Sequence, residues 1–121
     1  LIFLTLPWPD SRLFPNRKNG LHWTTTNKIK NEAIFGAYSI VKSSGLYVDI
    51  GNTKKSLKIV FYAPDKRKRD LDNLLAAMKP SIDGMSRALG IDDSLFRPIT
   101  LDIDIDPNKK GFVEVIIDAD S

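Results

Sequence analysis

The chain has 121 residues, no cysteine, 42% hydrophobic residues and a formal net charge of +3 at pH 7. That length suits one globular domain, small enough to gain from oligomerisation. The composition excludes a disordered chain, and the lack of cysteine excludes disulfides and thiolate metal sites, so a reducing cytoplasm is the expected home. No apolar run reaches membrane-spanning length, and no membrane partner is expected. The chain opens on Leu1 rather than Met, which leaves room for a few preceding residues. Its apolar start ends at Pro7, too short for a signal peptide.

Charge is distributed unevenly. Residues 1–69 carry 13 Lys/Arg against 4 Asp/Glu, residues 70–97 carry 3 against 5, and residues 98–121 carry 2 against 6. A basic half of this kind points to a polyanionic partner. A dipolar domain without such a partner is the alternative.

In chain order, Ile2–Leu6 reads as a short strand, ended by Pro7 and Pro9, which cannot donate to a ladder. Residues 9–23 read as an irregular loop, with Arg17 and Lys18 offered to phosphates. His22 is the single histidine, and a packing or capping role is expected for it rather than catalysis. Thr24, Thr25 and Thr26 supply N-cap hydroxyls for a helix running to Ser43 or Ser44 and stopped by Gly45. Ile29, Ala33, Ile34, Ala37 and Val41 form its buried face. Lys28 and Lys30 lie near its start and are explained by solvation. Leu46–Lys55 is ambiguous, with strand character at Tyr47 and Val48 and a turn at Gly51-Asn52.

Leu57–Tyr62 reads as a clear strand. A second helix is expected from Asp72 or Asn73 to Leu89, with the stripe Leu74, Leu75, Met78, Ile82, Met85 and Leu89 and a C-cap at Gly90. Pro80 lies inside it, so a kink or break is expected there. The tail reads as a hairpin. Ile99, Leu101, Ile103 and Ile105 alternate with Thr100, Asp102, Asp104 and Asp106, and a turn at 107–111 leads into a return strand, Phe112–Ile117. The order is β-α-β-α-β-β, a single α+β domain over 1–121.

The chemistry concentrates between the second strand and the second helix. Asp65 and the four consecutive cations Lys66, Arg67, Lys68 and Arg69 run into Asp70-Leu71-Asp72-Asn73-Leu74. In an extended backbone Asp70 and Asp72 face one side, whereas on a helix positions i and i+2 do not. The pair is therefore expected to be extended, with the helix starting just after it; Asp72 as a plain N-cap is the alternative. Two close carboxylates repel unless a proton or a cation intervenes. With oxygen ligands and no Cys, Mg²⁺ or Mn²⁺ is the cation of choice, suited to activating water at a phosphodiester. Asp92-Asp93 offers a third ligand. The row Asp102, Asp104, Asp106 competes, but reads as the solvated face of an edge strand. Lys79 projects from roughly the Asp72 face, either to touch the scissile phosphate or to pair with Asp83.

Leu6-Pro7-Trp8-Pro9, the stretch from Pro64 to Leu74, and Asp92-Asp93-Ser94 together resemble the RusA-type Holliday junction resolvases, over most of the chain. The resemblance implies a RusA-like fold and a mixed sheet with two main helices. It implies a homodimer that uses Mg²⁺ or Mn²⁺ to place paired nicks in a four-way DNA junction, in recombination and repair. It makes Asp70, Asp72 and Asp93 the metal-binding catalytic carboxylates. The family often has a catalytic lysine where this chain has Ala76, and Lys79 is the candidate replacement. Lys66, Arg67, Lys68 and Arg69, with Arg17 and Lys18, would bind DNA phosphates. Other readings are a non-catalytic branched-DNA-binding module, and a metal-dependent nuclease for another nucleic acid.

Overall fold

The computed structural model describes residues 1–15, 22–45 and 53–118. It contains strands β1 (Ile2–Pro7), β2 (Lys55–Ala63), β3 (Phe96–Ile105) and β4 (Phe112–Asp118), and helices α1 (Trp23–Ser43) and α2 (Leu71–Leu89). Short 3-10 turns occupy Ser11–Leu13 and Asp93–Leu95. The ambiguous segment 46–52 and the loop residues 16–21 lie outside the described residues.

The strands form one mixed sheet in the order β1-β4-β2-β3, giving the expected α+β class. β4 is antiparallel to both β1 and β2, while β2 and β3 are parallel. The expected hairpin is therefore absent: β3 and β4 are consecutive in the chain, but β2 lies between them. Burial explains the order. Val113, Val115 and Ile117 of β4 are all fully buried, whereas Ile99, Ile103 and Ile105 of β3 remain 37–45% exposed. Moving β4 to an edge would uncover three side chains at roughly 1.5–3 kcal/mol each. The strand whose polar positions are aspartates takes the edge instead.

Both helices lie on the core side of the sheet, against Leu57, Ile59 and Phe61 of β2 and the inward residues of β4. α1 buries Ile29, Ala37 and Val41, and α2 buries Leu74, Met78, Ile82, Met85 and Leu89, much as their periodicity requires. α2 continues unbroken through Pro80, against the expected break. Proline there removes the N–H that would serve the Ala76 carbonyl and costs about 3 kcal/mol. Burial of Met78, Ile82 and Met85 on both sides of it, roughly 1.5–3 kcal/mol each, outweighs that and keeps both halves on the sheet. Gly90 ends the helix at φ 70°, as a left-handed C-cap.

β1 and β2 run in the same direction, because each is antiparallel to β4. α1 and α2 both return against them and so lie side by side in the same sense. Their closest approach is at Gly84, where an added Cβ would sit 2.1 Å from the Ile34 carbonyl oxygen. Only glycine lets the two backbones meet there.

Candidate metal and nucleic-acid site

The carboxyl ends of β1 and β2 share one edge of the sheet, and the N-termini of α1 and α2 begin at that edge. Sites on α/β scaffolds gather at such edges. At the start of α1 the cap is His22 rather than a threonine: its ring Nδ1 accepts the Thr24 N–H at 3.2 Å and lies 2.7 Å from the Thr24 hydroxyl. That is the capping role expected of this histidine.

The basic loop leading into α2 is built around Arg69. Its guanidinium donates to the carbonyls of Asp65 (3.2 Å) and Arg67 (3.1 Å), pairs with the Asp65 carboxylate at 2.8 Å, and lies over the Trp8 ring at 5.3 Å. Trp8 in turn sets its edge against Phe61 of the core. Asp65 also accepts the Arg67 N–H at 2.9 Å and meets the Arg67 side chain at 3.3 Å. The Arg67 N–H first, then the Arg69 guanidinium, hold the Asp65 carboxyl below its ordinary value. Arg69 is half-buried and engaged by its own loop, while Lys66, Arg67 and Lys68 are exposed. The charge run concealed this division of labour, although Asp65 four residues before Arg69 is a visible signal. Arg17 and Lys18 fall outside the described residues.

Asp70 is the N-cap of α2, with extended backbone at φ −91°, ψ 131°, and Asp72 is in the first helical turn. The helix therefore starts at Leu71, inside the pair rather than after it, and the expected fully extended pair is corrected. Asp72 is not the N-cap. The Asp70 side chain makes no capping hydrogen bond. Among the described residues neither carboxylate enters an ion pair. Both are exposed at a helix N-terminus, where the dipole favours negative charge. Asp70 shares a groove with Phe14, Lys68, Arg69 and Asn73.

Asp93 is placed elsewhere. It precedes β3, which is parallel to β2, so it belongs to the sheet edge opposite Asp70. Among the described residues no three Asp, Glu, His or Cys side chains are gathered closely enough to hold a metal ion. Asp93 instead lines a cleft of about 390 Å³ with Lys30, Lys79 and Asp83, walled by Leu13, Ile34, Ala76 and Pro80. Asp83 pairs with Arg87 at 3.0 Å rather than with Lys79. Asp92, next to Asp93, accepts the Ser94 N–H at 3.0 Å, and that bond leads in lowering its pKa.

The donor set fits a hard divalent ion in kind. Mg²⁺ is commonly held by one or two carboxylates together with waters and substrate phosphates, and Asp70 and Asp72 are two accessible carboxylates beside exposed cations.

The acidic row on β3 has a different character. Asp102 and Asp104 accept the N–H groups of Ile103 and Ile105, each at 2.8 Å. Asp106 is buried rather than solvated, and accepts the N–H groups of Asn108 (2.9 Å), Lys110 (3.2 Å) and Gly111 (2.9 Å). The Asn108 N–H first, with those of Gly111 and Lys110, holds its carboxyl below the ordinary value.

A small α+β domain with free carboxylates at a helix start, fronted by a basic loop, is defined by these features. No family model matches the chain. It is 41% identical over 96 residues to an uncharacterized protein of Xylella fastidiosa, a match covering 77% of this chain but only 61% of that protein's length, less than two thirds. It is 31% identical over 87 residues to the crossover junction endodeoxyribonuclease rusA of Enterobacteria phage 82, covering 70% of this chain and 67% of that protein. The chain belongs to the RusA family.

Proposed function

We propose that this protein is a metal-dependent endodeoxyribonuclease that binds four-way DNA junctions as a homodimer and resolves them by paired, symmetric nicks. The observation that carries the reading is the pair of unengaged carboxylates, Asp70 and Asp72, standing at a helix start directly after exposed Lys66, Arg67 and Lys68. The similarity to a phage crossover junction endodeoxyribonuclease supports the substrate class.

In this reading Lys66, Arg67 and Lys68, with Arg17 and Lys18, contact backbone phosphates. They position the DNA without reading its sequence, so binding weakens steeply with salt. Arg69 shapes the loop that presents them. Asp70, Asp72 and Asp93 hold Mg²⁺ or Mn²⁺, and Lys79 stabilises charge on the reacting phosphate. The ion, when bound, supplies Lewis acidity and an activated water. Asp93 lines the cleft that runs along α2 past Lys79 to Ala76, one turn from Asp72, and a two-fold dimer carries two identical sites.

Competition among labelled four-way, duplex, flap and single-stranded substrates tests the substrate class. Preferential nicking of the four-way junction in Mg²⁺ is expected. Preference for a flap or a single strand would move the reading to a nuclease of another kind. Tight junction binding with no cutting would leave a branched-DNA-binding module, the reading that Ala76 favours.

A further inference from the structure

The cleft between α1 and α2 has an unusual charge arrangement. Lys30 of α1 and Lys79 of α2 both line it. Among the described residues neither enters an ion pair. Asp83 cannot neutralise them well, because Arg87 already donates to both its oxygens at 3.0 and 3.1 Å. Asp93 is the one other acid lining the cleft, which leaves it net positive.

The fold enforces this arrangement. The backbone contact between Gly84 and Ile34 locks the two parallel helices together. With the helices held side by side there, Lys30 of α1 and Lys79 of α2 both line the cleft between them. Two lysines lining one cleft concentrate positive charge there, which an anion in the cleft would offset. The apolar walls from Ile34, Ala76 and Pro80 lower the local dielectric and strengthen attraction to such an anion. The cleft also continues the Asp72 face of α2, since positions 72, 76, 80 and 83 recur at helical spacing.

We infer that this cleft seats one phosphodiester group of a nucleic-acid backbone, clamped between Lys30 and Lys79 about two helical turns from Asp72. Lysine binds phosphate as a compact point charge, and a pair of them fixes where the strand runs relative to the carboxylates. The inference rests on the nucleic-acid reading above and adds Lys30 to its residues.

The test measures four-way junction binding over a range of salt for the native chain, Lys30→Gln, Lys79→Gln, the double variant, and Lys42→Gln as control. Lys42 sits over the Tyr38 ring at 5.6 Å, away from the cleft. Each phosphate contact contributes about 0.9 to the slope of log K against log salt. Because the two lysines share one phosphate, the double variant should lower the slope by about that amount, each single variant by no more than that, and Lys42→Gln should leave it unchanged. A native slope and affinity in the double variant, while the native chain still binds and cuts junctions, would overturn the clamp and leave the nuclease reading intact. Failure of the native chain to bind any DNA overturns both. Lysine side-chain NMR shifts at Lys30 and Lys79 with inorganic phosphate, combined with an unchanged DNA slope, would assign the cleft to a free anion and overturn the nucleic-acid assignment.

Discussion

Asp70-Leu71-Asp72 and Asp102-Ile103-Asp104 have the same spacing, and their carboxylates meet different surroundings. On β3, Asp102 and Asp104 each accept the N–H of the following residue. Those N–H groups lie along the uncovered edge of the sheet, where they would otherwise be free to pair with another strand. The aspartates guard that edge. At the start of α2 the Asp70 side chain makes no capping bond, neither Asp70 nor Asp72 enters an ion pair among the described residues, and both carboxylates remain available. Acidic spacing alone therefore does not distinguish a metal site from an edge guard. What distinguishes them is whether the backbone has already engaged the oxygens.

The largest expected effect breaks the comparison on the functional side. Asp70→Asn should reduce junction cleavage on the order of a thousandfold, the scale of several kcal/mol of lost metal chemistry. Its thermal midpoint should hardly move, as for other surface substitutions. A parallel loss of thermal stability would show instead that Asp70 holds the fold.

Mixing protomers sharpens the site further. Asp72→Asn and Asp93→Asn chains, each inactive alone, should stay inactive when mixed, because Asp72 and Asp93 of one chain serve the same site and each site of the heterodimer lacks one carboxylate. Recovered single-strand nicking, with heterodimers shown to form, would mean that each site draws Asp93 from the second protomer.

Asp106→Ala tests the structural side. It removes a buried acceptor for three N–H groups at the β3–β4 turn, so the thermal midpoint should fall by several degrees. The sign with pH follows from the direction of the shift. The folded carboxyl lies below its ordinary value of 3.8, so its contribution is present above that value and fades as pH falls through the lower folded one. Asp106→Asn should therefore show a shallower acid limb than the native chain in thermal melts below about pH 4. An equally steep limb would mean that other carboxylates dominate acid unfolding.

The smallest effect on folding is expected from Asp102→Thr with Asp104→Thr, which frees the edge donors. Sedimentation should show new concentration-dependent association, with little change in the melting of dilute protein. An unchanged sedimentation profile would deny the guarding role.

The order of elements was legible because Leu74 to Leu89 repeats at helical spacing and Leu57 to Tyr62 has β character. The strand order was not. Alternation in Ile99–Ile105 is the same for a hairpin arm and for an edge strand beside β2, and only the burial demanded by Val113, Val115 and Ile117 puts β4 at the centre. Pro80 misled in the same way, since a local rule was overridden by packing against the sheet. In the site, the spacing of Asp70 and Asp72 marked the pair, yet nothing local reveals that Arg69 is engaged by Asp65 and Trp8. Lys30 could not be placed at all from sequence, because its meeting with Lys79 depends on a contact between helices fifty residues apart, at Gly84 and Ile34.

The most direct measurement is cleavage of an end-labelled four-way junction by the native chain, Asp72→Asn and Asp104→Asn, with Mg²⁺ and with EDTA. The account predicts paired symmetric nicks that require Mg²⁺, vanish in Asp72→Asn while binding persists, and survive in Asp104→Asn. No metal-dependent nicking by the native chain, or cutting that resists Asp72→Asn and fails in Asp104→Asn, would contradict it.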